Sequence, residues 1–152
     1  MESKNNFDLM RIIGQTIMLF NSIDFAMAVI IQRYVLKMEH NMPVIDFLYD
    51  DFPVSKKIKI LNKNRNLIGL SENDIDDLRK LVNIRNNIAH GWLQKNKKGE
   101  LTFMNKYNIE GDGLSPQKQF DSFLVSFRKV NKTLFEIIES TTPLETAKFE
   151  KN

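Results

Sequence analysis

The chain has 152 residues and contains no cysteine. That excludes disulfide cross-links, thiol nucleophiles and the usual cysteine-bearing zinc sites. Histidine is nearly as scarce: His40 and His90 are the two present, which leaves few options for a hydrolytic metal site. Four prolines and six glycines are too few for a collagen-like or low-complexity chain. No glycine-rich phosphate-binding loop and no Ser-His-Asp order is discernible. The polar start, Met1 to Asn6, sets no basic cluster before a long apolar run, so no secretory signal is expected. Gln32 and Arg33 interrupt the most apolar stretch, Phe25 to Val35, which is short for a bilayer span. The expectation is a soluble, cytoplasmic protein without a membrane partner.

What is present fits one globular domain, long enough to enclose a single core. Twenty-two Lys and Arg against nineteen Asp and Glu give a net charge of +3 and a pI near 9.1. A balance this mildly basic tolerates a polyanionic partner without demanding one. The spacing predicts a helix from about residue 6 to 37, with Ile13, Ile17, Phe20, Ile23, Met27, Ile30 and Tyr34 recurring at helical period. Its apolar character is broad, and a dimer interface is one way to satisfy that.

Pro43 opens a short helix through Tyr49, and Pro53 ends the segment after Asp50, Asp51 and Phe52. Ser55 is the expected cap of the next helix, to about Asn64, with Ile58 and Leu61 inward and Lys56, Lys57, Lys59 and Lys63 largely outward. Ser71-Glu72-Asn73-Asp74 resembles a capping box, and acids crowd the following turn. That helix runs to His90, where Gly91 supplies the stop. Trp92 to Gln94 and Leu101 to Met104 flank Asn96-Lys97-Lys98-Gly99, which reads as a β-hairpin. Residues 108–113 read as a loop. Ser115-Pro116 then caps a last long helix with Phe120, Phe123, Leu124, Phe127, Val130, Leu134, Ile137 and Ile138 inward. The predicted fold is all-α: a bundle of four to five helices over residues 1–143, a hairpin inserted near 92–105, and a polar tail over 144–152.

One helix breaks its own pattern. On a wheel of residues 72–90, Leu78, Leu81, Val82, Ile88 and Ala89 share a side, with Ile75 at its margin. Arg85 projects from the middle of that apolar stripe. A guanidinium placed there needs a carboxylate, an interface partner or a bound anion. His90 closes the same helix five positions on, and Asn86 sits beside Arg85. Arg offers a planar fork for phosphate, and His exchanges protons near neutral pH. Cleavage of a phosphodiester by its own 2′-hydroxyl needs those two functions: charge stabilisation at phosphorus and proton transfer at oxygen. A structural alternative pairs Arg85 with a buried acid such as Asp24, Asp46 or Asp50, with His90 capping its helix end.

The run Arg85-Asn86-Asn87-Ile88-Ala89-His90-Gly91 resembles the signature of the HEPN superfamily, an Arg followed after four to six residues by His, commonly with a polar residue just after the Arg. The match in detail covers about a dozen residues, while the helix order is similar to that of a HEPN domain across most of the chain. The resemblance implies a bundle that dimerises so that two Arg-His pairs face one cleft. In active members that cleft cuts RNA without metal, leaving a 2′,3′-cyclic phosphate and a 5′-hydroxyl. Carried over by position, Arg85 stabilises the phosphate charge, His90 is general base or acid, and Asn86 supports both.

No cofactor is implied. Members serve as toxins of toxin–antitoxin pairs, as anti-phage effectors and as ribonuclease modules of CRISPR-associated proteins; others are non-catalytic modules that bind nucleotide, RNA or protein. The partners expected are therefore RNA, a second copy, and an antitoxin or regulatory protein. In toxins silenced by a nucleotidyltransferase antitoxin, a Tyr two residues after the His receives the adenylyl groups. Trp92 stands there in this chain, which argues against silencing by that modification. Trp92 can instead stack on a base or anchor the hairpin, and with Lys95, Lys97 and Lys98 it completes the expected RNA contacts.

Overall fold

A computed structural model describes residues 2–95, 99, 101–104 and 115–140. Helix α1 spans Glu2–Ile30 and continues as a π-helical turn over Ile31–Val35. After it come α2 (Met42–Asp46), a second π turn (Phe47–Asp51), α3 (Val54–Lys63) and α4 (Arg65–Ile68). Helix α5 (Glu72–His90) leads into strands β1 (Trp92–Lys95) and β2 (Leu101–Met104), and α6 covers Pro116–Glu139. The architecture is all-α with one small antiparallel hairpin, as the periodicity predicts. Since α2 and α4 are each about one turn long, α1, α3, α5 and α6 do most of the packing. The loop expected over 108–113, the tail expected from 144, and Lys97 and Lys98 lie outside the described residues.

The core lies where α1, α5 and α6 meet. Ile23, Met27 and Ile30 of α1, Ile75, Leu78 and Leu81 of α5, and Phe123 and Leu134 of α6 are all fully enclosed, and Ile58 and Leu61 of α3 join them. Polar bonds fix how the long helices run. Ser126 donates to Asp77 at 3.0 Å and Thr133 to Asp74 at 3.4 Å, so α5 and α6 are antiparallel. Arg33 Nη1 and Tyr34 OH donate to the carbonyls of Ile138 and Ile137, each at 2.9 Å. Those carbonyls belong to the last turn of α6, the end at which a helix leaves acceptors for side chains to take. The segment Asp8–Val35 has the length and composition to cross a bilayer, which the shorter run Phe25–Val35 does not convey by itself. In this fold it is the helix against which α5 and α6 pack.

Caps fix the helix that carries Arg85. The Asp74 N–H donates to Ser71 Oγ at 3.2 Å, and the Ser71 N–H returns to the Asp74 carboxylate at 2.8 Å. Ser71→Ala is expected to lower stability by about 1 kcal/mol, read as a lower denaturant midpoint at unchanged slope. An unmoved midpoint would mean that water replaces the cap fully. At the other end, the Gly91 N–H still bonds Asn87 O at 2.9 Å, yet Gly91 is extended (φ −73°, ψ 150°) rather than left-handed. The chain passes straight into β1, so the stop comes from strand pairing rather than from a left-handed glycine cap. The left-handed stop occurs one helix earlier, at Gly69 (φ 86°), which closes α4.

Two expectations for α3 need correction. The helix starts at Val54, with Pro53 rather than Ser55 at its cap, because the Pro53 carbonyl takes the N–H groups of Lys56 and Lys57. Lys57, expected outward, is completely buried. It lies on the α3 face of Val54, Ile58 and Leu61, and a carboxylate waits for it there.

In the hairpin, Leu93 pairs with Phe103, Gln94 with Thr102 and Lys95 with Leu101. Phe103 and Thr102 are buried, and β2 packs on α5 and α6.

Candidate functional site

Helix α5 delivers Arg85 half-buried at its inner margin, facing α1. The guanidinium carbon stands 5.7 Å from the ring centroid of Phe20, a cation–π contact that turns the apolar seam into a seat for the charge. Nη1 then points along the helix. It donates to Asn86 Oδ1 at 3.1 Å and lies 3.4 Å from His90 Nε2. Arg85, Asn86 and His90, singled out from the sequence, thus come together as one cluster, with Asn86 and His90 exposed.

The chemistry of that contact constrains the imidazole. A guanidinium donates and never accepts, so Nε2 can bond it only through a lone pair, with the ring proton on Nδ1. That contact occupies the one lone pair of Nε2, so His90 can take a proton from a hydroxyl there only when Arg85 turns its N–H elsewhere. Asn86 holds Arg85 by its other Nη1 donor and so orients the guanidinium. The Nε–H of Arg85 is buried and has no acceptor among the described residues. An unmet buried donor costs roughly 1–3 kcal/mol.

None of the acids that a structural role would require pairs with Arg85 among the described residues. Asp46 and Asp50 are exposed. Asp24, one turn beyond Phe20 on α1, is buried but sits 2.6 Å from Lys57 Nζ. Burial pushes the Asp24 carboxyl above its ordinary value, while Lys57 and then Arg85 pull it down. Among the described residues no carboxylate forms an ion pair with Arg85.

Of the expected RNA contacts, Lys95 is exposed at the end of β1. Trp92 opens that strand directly after the site, though its side chain lies outside the described residues, as do Lys97 and Lys98. Phe20 and Lys57 are the residues that sequence reasoning left out of the site, and Asp24, weighed there as a partner for Arg85, pairs with Lys57 instead. Lys57 carried the same signal as Arg85, a cation on an apolar stripe. His40 is exposed in the segment before α2 and takes no part. Among the described residues no three His, Asp or Glu side chains converge as ligands for a cation.

No family model, no curated protein and no solved structure matches the chain. What the site does is therefore read from its own geometry.

Proposed function

We propose that the protein is an endoribonuclease of the HEPN type that cuts RNA through attack of the 2′-hydroxyl on the adjacent phosphate, with no metal required. The observation that carries this reading is a guanidinium that has no carboxylate partner among the described residues, 3.4 Å from an imidazole nitrogen, at the exposed end of a helix. As Arg85 turns its N–H from Nε2 to the phosphate, His90 accepts the 2′-hydroxyl proton at Nε2 and the oxygen attacks phosphorus. Arg85 offers N–H donors to the non-bridging oxygens, where charge accumulates in the transition state. The bond from phosphorus to the 5′-oxygen breaks, solvent water supplies the proton that this oxygen takes, and the products are a 2′,3′-cyclic phosphate and a 5′-hydroxyl. Asn86 keeps the guanidinium aimed at the imidazole.

The reading includes a second copy of the chain. The resemblance to HEPN domains implies a dimer, and α1 leaves Met10, Met18 and Phe25 exposed, by 67%, 63% and 41%, as apolar surface for that contact. Action as a toxin or anti-phage effector, with an antitoxin or regulatory protein to restrain it, belongs to the same proposal. So does a cytoplasmic location.

Incubating purified protein with mixed RNAs in EDTA provides the test. The expected outcome is cleavage with cyclic-phosphate ends, detected by end-specific ligation. Tight RNA binding without turnover, across RNAs of varied structure, would replace the enzyme with a non-catalytic RNA-binding module on the same fold.

A further inference from the structure

Beside the proposed active centre lies a completely buried lysine that the cleavage chemistry does not use. Lys57 Nζ is 2.6 Å from Asp24 Oδ1, donates to the Tyr49 carbonyl at 3.2 Å, and lies 5.7 Å from the Tyr49 ring centroid. That carbonyl is available for a physical reason: the residue four positions on is Pro53, which has no N–H to offer it. Burying an ammonium is costly unless it is paired and hydrogen-bonded, and here both conditions are met.

The position of Asp24 gives the pair its meaning. Phe20 and Asp24 are one turn apart on the same face of α1, and the Phe20 ring is the surface on which Arg85 rests. Asp24 is close enough for the charge of Arg85 to act on it. Arg85 also has a buried Nε–H with no acceptor among the described residues, and a carboxylate is the strongest acceptor a guanidinium can find. The carboxylate stands one helical turn from the ring under the guanidinium, yet among the described residues the two form no ion pair.

We propose that Lys57 is a positioning residue for Arg85: by holding Asp24 in a buried ion pair, it keeps that carboxylate from closing on the guanidinium and leaves Arg85 as the net positive charge offered to an RNA phosphate. This rests on the ribonuclease reading of the same site. Lys57 and Asp24 cancel, so the cluster of three ionised groups presents one uncompensated cation, and that cation sits at the solvent side. Without the lysine charge, Asp24 and Arg85 cancel instead. A phosphate must then displace an internal carboxylate before it can bind.

Two variants of the full chain test this. Lys57→Gln keeps a hydrogen-bonding group near Tyr49 but removes the charge, and Lys57→Gln combined with Asp24→Asn removes the competing carboxylate as well. The first readout is affinity for an RNA oligonucleotide made uncleavable by 2′-O-methylation. The second is the NMR signal of the Arg85 Nε–H, which reports its partner directly. The single variant is expected to bind about tenfold more weakly, with the Arg85 signal displaced, and the double variant to return to within about twofold of wild type. Wild-type affinity and an unmoved signal in the single variant would overturn the proposal. Equal loss in both variants would also overturn it, since the pair would then shape only the fold.

If Lys57→Gln does not fold, Asp24→Glu takes its place. The longer carboxylate reaches past Lys57 toward the guanidinium, so a similar loss supports the proposal and wild-type affinity overturns it. Wild-type protein that neither binds nor cuts RNA would defeat the ribonuclease reading instead. The Arg85 signal then decides alone: movement in the single variant with return in the double supports the role of Lys57, and no movement ends it.

Discussion

Replacing His90 by alanine is expected to leave the protein folded and to slow RNA cleavage by about 10²- to 10⁴-fold. The two halves of that expectation have separate causes. His90 is exposed at the last position of α5, and its ring bonds Arg85 rather than the core. Truncating it there changes stability by no more than about 0.5 kcal/mol. In the proposed chemistry the 2′-hydroxyl is a weak nucleophile until its proton leaves, and His90 Nε2 accepts that proton once Arg85 turns its N–H from the imidazole to the phosphate. RNA affinity should change little, because Arg85 keeps its seat on Phe20 and its bond to Asn86. Initial rates on a labelled RNA, with thermal melting and binding measured on the same preparation, separate these effects. Cleavage by the variant at the wild-type rate would remove His90 from the chemistry.

Phe123→Ala is expected to produce the largest loss of stability, about 3–5 kcal/mol. Phe123 is fully buried in α6, the helix that packs most extensively on both α1 and α5. Its ring stacks on Phe127 with centroids 6.0 Å apart and planes 15° from parallel. Truncation removes the apolar transfer energy of the ring and leaves a cavity that two long helices cannot collapse to fill. Since a domain of this size is stable by roughly 5–15 kcal/mol, the variant forfeits about a fifth or more of its margin and melts on the order of 10 °C lower. Phe135, on the same helix but 45% exposed, is the control, and its alanine variant should stay within about 0.5 kcal/mol of wild type. Equal losses at the two positions would show that ring burial does not govern the stability of α6.

The boundaries of α5 and α6 were readable because local chemistry sets them: Ser71 with Asp74, and Ser115 with Pro116, satisfy helix ends within a few residues of themselves. Arg85 was readable as a cation on an apolar stripe, and its meeting with Asn86 and His90 needed only helix geometry. The Asp24–Lys57 pair was not read, since it joins α1 to α3 and nothing local announces it. Yet its two halves broke pattern as plainly as Arg85 did, Asp24 between Phe20 and Met27 and Lys57 between Val54 and Leu61. A run of neighbouring lysines hid the second of them, for Lys56, Lys59 and Lys63 do face solvent. The two π turns were equally illegible. A one-residue change in hydrogen-bond register depends on how the helix must rotate to meet its neighbours, and intrinsic propensity carries no trace of that.

Arg33 and Tyr34 reach carbonyls 105 and 103 residues further along the chain. Contacts of that span form late, because the intervening chain must be gathered before any bond rewards it. During synthesis, α1 emerges first and has its largest packing partner still to come. Phe20, the seat of Arg85, belongs to that waiting helix. Assembly of the cationic centre is thus tied to the arrival of α6, and a nascent chain that stops short of it carries the residues of the site without the scaffold that aims them.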